Sequence, residues 1–275
     1  MKDYGEFVLE VEKALAVNIY LYNCANPPIP EGYKHVSGKW YSGFVIERDS
    51  DGSQFVWIPV DSLDPDGTLD GKHFLFKFGR RNYRRNEFSD SRYNEVLNEE
   101  LLEQLISVKK YGGFYISRYN ISKSSAGKPQ SVKGVIPWIE ITFNEANEIA
   151  STIENNETVK SHLPFGAEYD SVLAWFIKSR ARYEWKITED SSDWGNYSGK
   201  LLETGSCEKY CSNNIYDFAG NVSEWTQEQE GSSRRVIRGA SYRGHGKYDN
   251  VSYRDGWGDN MILIDVGFRA ALYIK

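Results

Sequence analysis

Tyr216-Asp217-Phe218-Ala219-Gly220-Asn221-Val222-Ser223-Glu224-Trp225-Thr226 is the stretch on which the reading turns. It has a glycine turn, two carboxylates and an aromatic strand start. Two further frame segments follow, Arg235-Val236-Ile237-Arg238-Gly239-Ala240-Ser241-Tyr242 and Gly267-Phe268-Arg269-Ala270-Ala271. Between them runs a segment built almost wholly from Tyr, Arg, Gly, Asp, Asn, Ser, His and Trp, without a cysteine. Tyr, Trp and Arg give large contact area at low ordering cost, and Ser, Gly and Asn give adaptable hydrogen bonds. The segment therefore reads as a binding surface held in a fixed frame. The competing reading is a glycine-rich loop packed on its own core.

Working outward, the upstream chain alternates strand and helix signals. Gly43–Glu47 and Gln54–Val60 read as strands joined by an Asp-Gly turn, and His73–Phe78 as another strand. Asn94–Lys109 carries Val96, Leu97, Leu101, Leu102, Leu105 and Ile106 at helical spacing. Gly112–Tyr119 reads as a strand. Thr142 caps a helix over Phe143–Glu154 with Glu145 three residues on, and a further helix runs from about Glu168 to Arg180. After Trp185 the pattern dissolves into short strands and turns. At the other end, Tyr4–Leu21 reads as a helix that stops at Asn26-Pro27-Pro28, which divides the chain into an N-terminal helix and linker (1–32) and a main domain (33–275).

Composition narrows the function classes. The 275 residues carry a formal net charge of −6 and 15% aromatic content, enough for one large core. The basic run Arg80–Arg85 has Glu87 and Asp90 close by and reads as a solvated loop, so no nucleic-acid partner is expected. No apolar run is long enough to span a membrane, and the start Met1-Lys2-Asp3 lacks the pattern of a signal peptide. Cys24, Cys207 and Cys211 are odd in number and read as thiols rather than a disulfide framework.

Five blocks in order resemble the formylglycine-generating-enzyme (sulfatase-modifying factor) family: Gly112–Tyr119, Leu163-Pro164 with Glu168-Tyr169, Gly220–Trp225, Arg238–Tyr242 and Gly267–Arg269. The resemblance implies an α+β, C-type-lectin-like fold of short twisted antiparallel strands, a few helices and much irregular loop. In catalytic members a cysteine pair lies between the last two blocks, binds copper and activates oxygen. Here the interval Ser241–Val266 holds no cysteine, and Cu(I) needs soft thiolate ligands. The iron-dependent sulfoxide synthases use a histidine cluster, whereas His35, His73, His162 and His245 are scattered.

A third branch of the family, the variable proteins of diversity-generating retroelements, binds ligands through a C-terminal variable region of this composition. The resemblance implies the same for a region at 241–266. The expected contact residues are Tyr242, Arg243, His245, Tyr248, Asp249 and Asn250, then Ser252, Tyr253, Arg254 and Asp255, and finally Trp257, Asp259 and Asn260. Lys247 and Trp257 fall outside the set of residues that adenine mutagenesis favours. Trp194-Gly195-Asn196-Tyr197 would extend the surface.

No cofactor is required. The resemblance implies one structural calcium on Asp217, Glu224 and the carbonyls of Gly220 and Val222, since oxygen ligands at a glycine turn suit that ion. The alternative is that the two carboxylates hold the turn without a metal. Trp175, Trp225 and Phe268 are expected in the core, and Arg238 and Arg269 paired with carboxylates. The resulting expectation is a non-catalytic protein that displays its surface to a protein or glycan receptor. Its N-terminus would attach it to a phage tail or bacterial surface, or it would form a homo-oligomer. The alternatives are an oxidase of the family with altered ligands and a structural subunit with an inert loop.

Overall fold

A computed structural model describes residues 26–60, 78–80 and 92–275. The expected helix at Tyr4–Leu21 lies outside the described residues, as do the expected strand at His73–Phe78 apart from Phe78, most of the basic run, and Cys24.

The run Gln54–Pro59 (β3) and the run Gly113–Ser117 (β5) pair antiparallel in the middle of a six-stranded sheet. Their side chains alternate between two cores. Val56, Ile58, Phe114 and Ile116 face one cluster, with Tyr169, Val172, Leu173, Trp175 and Phe176. Phe55, Trp57 and Tyr115 face the other, with Trp225, Phe268 and Leu272. A sheet covered on both faces needs apolar residues at consecutive positions, which is why Phe55–Val60 reads as an unbroken apolar run. The remaining strands of this sheet are Tyr33–Ser37 (β1), Val45–Arg48 (β2), Ala271–Ile274 (β15) and Val159–His162 (β8), in the order β1-β2-β3-β5-β15-β8. The C-terminal strand is therefore interior, hydrogen-bonded on both sides.

Helices form where caps and apolar spacing agree. Glu99–Tyr111 (α1) starts at Asn98, whose Oδ1 accepts the Leu101 N–H at 2.8 Å, and stops at Gly112 in the left-handed region (φ 76°). The expected start at Asn94 is wrong because Tyr93–Asn94 (β4) instead pairs with Ser223–Glu230 (β11). Phe143–Thr152 (α2) has the expected capping box, with Thr142 N–H donating to Glu145 Oε2 at 2.9 Å and Glu145 N–H to Thr142 Oγ1 at 3.2 Å. Gly166–Lys178 (α3) lies against the first core, and Glu184–Thr188 (α4) is short. The mixed α and β architecture, with few helices and long irregular connections, is the one expected.

A second sheet positions the site. β11 pairs antiparallel with Arg234–Arg238 (β12), which pairs with Asp255–Gly258 (β13), while Val266–Phe268 (β14) runs parallel to β11. The parallel register places Glu224 beside Gly267 and Trp225 beside Phe268. Segment 239–265 thus leaves from one buried strand and returns to another, so both of its ends are fixed. Trp175, Trp225 and Phe268 are fully buried, as expected.

Candidate functional site

The turn that opens the frame is tight. Asp217, Gly220 and Asn221 all have positive φ (54°, 70° and 62°). A Cβ on Gly220 would lie 2.4 Å from the Asn196 carbonyl oxygen, so only glycine fits. Asp217 Oδ2 accepts the Gly205 N–H at 2.7 Å. Glu224 Oε1 accepts from Arg269 Nε and from Asn120 Nδ2, both at 2.7 Å. Arg269 also donates from Nη1 to the Ser117 carbonyl at 3.0 Å and from Nη2 to the Tyr216 carbonyl. Burial pushes the Glu224 carboxyl up to about 7 against the pull of Arg269, and Asp217 up to about 6. This donor set does not fit calcium. Glu224 Oε1 is already taken by the Arg269 guanidinium and the Asn120 amide, and Asp217 Oδ2 by the Gly205 N–H. Among the described residues no three His, Cys, Asp or Glu side chains are grouped so that they could hold a metal ion.

The expected contact segment divides into two populations. Asn250, Ser252 and Arg254 belong to the frame. Asn250 Nδ2 donates to the Thr188 carbonyl at 3.0 Å, and its Oδ1 accepts from Ser252 N at 3.1 Å and Ser252 Oγ at 2.7 Å. Arg254 reaches down into a buried network. Its Nε lies 3.0 Å from Glu228 Oε1 and 2.9 Å from Oε2, and its Nη2 pairs with Asp170. Arg238 Nη2 donates to Asp170 Oδ1 at 2.7 Å, and Arg80 Nη1 to Glu228 Oε1 at 2.8 Å. The pairing expected of Arg238 and Arg269 is present. Arg80, expected in a solvated loop, is instead buried, because Glu228 requires a cation.

The other residues face outward. Arg243, His245, Lys247, Tyr248, Trp257 and Asn260 are exposed, Tyr248 by 69%. Tyr242, Asp249, Tyr253, Asp255 and Asp259 are half-buried. Trp194, Gly195 and Asn196 are buried and Tyr197 half-buried, so this stretch does not extend the surface. Its Asn196 holds the frame turn, donating to the Lys200 carbonyl and to Asn221 Oδ1 at 2.8 and 2.9 Å.

Below the exposed residues opens a cleft of about 460 Å³. Tyr253, Trp257, Ile237, Leu263 and Val266 give it aromatic and apolar walls, and Arg243, Asp249, Asp255 and Asp265 give it charge. The indole Nε1 of Trp257 donates to Asp255 Oδ2 at 2.9 Å, and Ser241 Oγ donates to Asp265 Oδ2 at 2.6 Å. Sequence reasoning missed Asp265 and the stretch Met261-Ile262-Leu263-Ile264. Met261, Ile262 and Ile264 are exposed by 45%, 62% and 49%. They fall within the expected region 241–266 but not among its expected contact residues. Cys207 and Cys211 are free thiols, and Cys211 lines a different depression, with Arg182 and Trp194. Among the described residues no helix is long and apolar enough to cross a membrane.

The family model for the sulfatase-modifying factor enzyme 1-like domain matches residues 48–274. No curated protein matches the sequence. Among solved structures, PvdO from Pseudomonas aeruginosa is similar with a TM-score of 0.51 and 14% identity, over 83% of this chain and 97% of that one. Treponema denticola variable protein 1 gives a TM-score of 0.48 at 13% identity over 88% and 99% of the two chains. The I1 variant of Major Tropism Determinant gives 0.40 at 10% over 81% and 63%. The likeness to PvdO is one of fold alone.

Proposed function

The chain belongs to the sulfatase-modifying factor family, and we propose that within it this protein binds a ligand rather than catalysing the family's oxidation. One observation carries the reading. The cleft lies where the frame segments meet the Tyr, Trp, Arg and Asp-rich segment, and neither its walls nor the whole interval 241–266 supplies a thiol. Without a thiolate the residues around the cleft offer Cu(I) no soft ligand. What they offer is what a recognition surface needs: aromatic side chains at the rim, charges within, and a backbone tied down at both ends.

The finer reading is that the segment varies, as in proteins encoded beside diversity-generating retroelements, and that the protein is displayed in several copies on a virion or a bacterial surface. The composition of Tyr242–Asn260 supports it, and multivalent display would compensate for a weak single site.

Two measurements test the proposal. The purified protein should bind saturably to members of a combined glycan and peptide array, and Trp257→Ala with Tyr253→Ala should abolish that binding. Loaded with copper and given a cysteine peptide, it should consume oxygen no faster than free copper does. Enzymatic oxygen uptake would overturn the reading. For the finer reading, a template repeat of the 3′ end of the gene, differing mainly at adenines, should lie nearby.

A further inference from the structure

The ligand class is written in the cleft and in the apolar ridge beside it. The cleft is lined by Asp249, Asp255 and Asp265 against one cation, Arg243, which leaves two net negative charges facing the space. None of the four makes an ion pair among the described residues. The carboxylates accept only neutral donors: the His245 N–H on Asp249 at 3.2 Å, the Trp257 indole on Asp255, and the Ser241 hydroxyl on Asp265. The buried acids Glu224, Glu228 and Asp170 a few strands away each have an arginine partner. Unlike Glu224, Glu228 and Asp170, the half-buried cleft acids have no cation of their own.

The walls suit a cation carried on an apolar stem. Tyr253 and Trp257 line it with aromatic side chains, and Ile237, Leu263 and Val266 with aliphatic ones. A guanidinium or ammonium gains from both aromatic faces and carboxylates, while its methylenes cover the apolar lining. From the rim the chain continues through Met261, Ile262 and Ile264, three exposed large apolar side chains next to the lining residue Leu263. The ridge is held in place rather than loose. Met261 N–H donates to the Gly258 carbonyl at 3.0 Å, Phe143 N–H to the Asp259 carbonyl at 3.1 Å, and Asn144 Nδ2 to Asn260 Oδ1 at 2.9 Å. A preformed apolar ridge beside a charged pocket lowers the ordering cost of docking a protein.

Resting on the binding reading above, we propose that the partner is a protein that inserts a lysine or arginine side chain into the cleft between Asp255 and Asp265 and lays flanking apolar residues on the Met261–Ile264 ridge. A neutral sugar could stack on Trp257 but would leave the ridge uncovered. An acidic sugar would meet the unpaired carboxylates.

The test is selection of short peptides from a random library on the intact protein, followed by fluorescence-anisotropy titration of the recovered peptides. Peptides enriched on the wild type should carry arginine or lysine beside apolar residues. Replacing that arginine by citrulline should weaken binding by about tenfold or more, which is the scale of one charge-assisted contact. Asp255→Asn with Asp265→Asn should weaken it to a similar degree while preserving shape and the Trp257 and Ser241 hydrogen bonds. Ile262→Ser with Ile264→Ser should weaken peptides with apolar flanks more than those without. Enrichment without a basic bias, or affinity indifferent to citrulline or to the Asp→Asn pair, would overturn the assignment. So would saturable glycan binding through the same cleft without any peptide binding, an outcome that leaves the broader binding reading standing.

Discussion

Arg254 offers the sharpest check on how the surface segment is held. Its side chain is 9% exposed, although it lies within a run whose composition reads as display. Replacing it with alanine removes the Nε contact shared between both Glu228 oxygens and the Nη2 contact to Asp170, both of which are fully buried. Removing one partner of a buried pair costs about 3–5 kcal/mol, because the remaining charge keeps its desolvation penalty. Arg238 still holds Asp170 and Arg80 still holds Glu228, so the lower end, about 3 kcal/mol, is expected. For a domain of this size that corresponds to a fall in Tm of about 6–12 °C. Urea denaturation of wild type and Arg254→Ala gives the free energy, and limited proteolysis reports whether cleavage concentrates in segment 242–260. Arg254→Lys, which keeps the charge and loses the fork, should fall between the two. If Arg254→Ala unfolds within about 1 kcal/mol of wild type, the segment is not held by this network and the division into frame and surface residues fails.

Other outcomes follow from the same geometry. Tyr248→Ala should change stability by less than about 0.5 kcal/mol in the same titration, since the ring is 69% exposed. Gly246→Ala, though two residues away, should destabilise measurably, because the new Cβ would lie 2.4 Å from the Ser192 backbone nitrogen. Trp225→Ala should cost about 3–5 kcal/mol through the cavity it leaves in the second core. Stability should also depend on pH. Burial, reinforced by the neighbouring Glu228, raises Glu95 to about 8, and burial raises Glu224 to about 7 and Asp217 to about 6. Each lies above its unfolded value near 4, so its contribution is complete below about pH 4 and is lost as pH rises through about 6 to 8. Thermal scans should therefore give a lower Tm at about pH 8.5 than at about pH 5.5, and Glu95→Gln should flatten the difference. A flat profile in the wild type would contradict it.

The chain alone determined those elements in which local chemistry and packing agree. The Thr142–Glu145 box sets the start of α2, the apolar run within Gln54–Val60 marks a strand, and the Gly220 turn leads into the buried Trp225 strand. The ordered blocks also determined the family. Tertiary structure alone decided which residues of the segment are surface. Tyr, Arg, Asn and Ser are equally at home in a contact surface and in a satisfied polar interior, so composition could not separate Tyr248, which projects into solvent, from Arg254, which Glu228 and Asp170 draw inward. Nor could it separate the exposed Met261–Ile264 ridge from a buried strand, because hydropathy is read along the chain while burial depends on partners distant in sequence. The α1 boundary moved for the same reason: Asn94 is the expected helix start, but Tyr93–Asn94 pair with β11 as a strand.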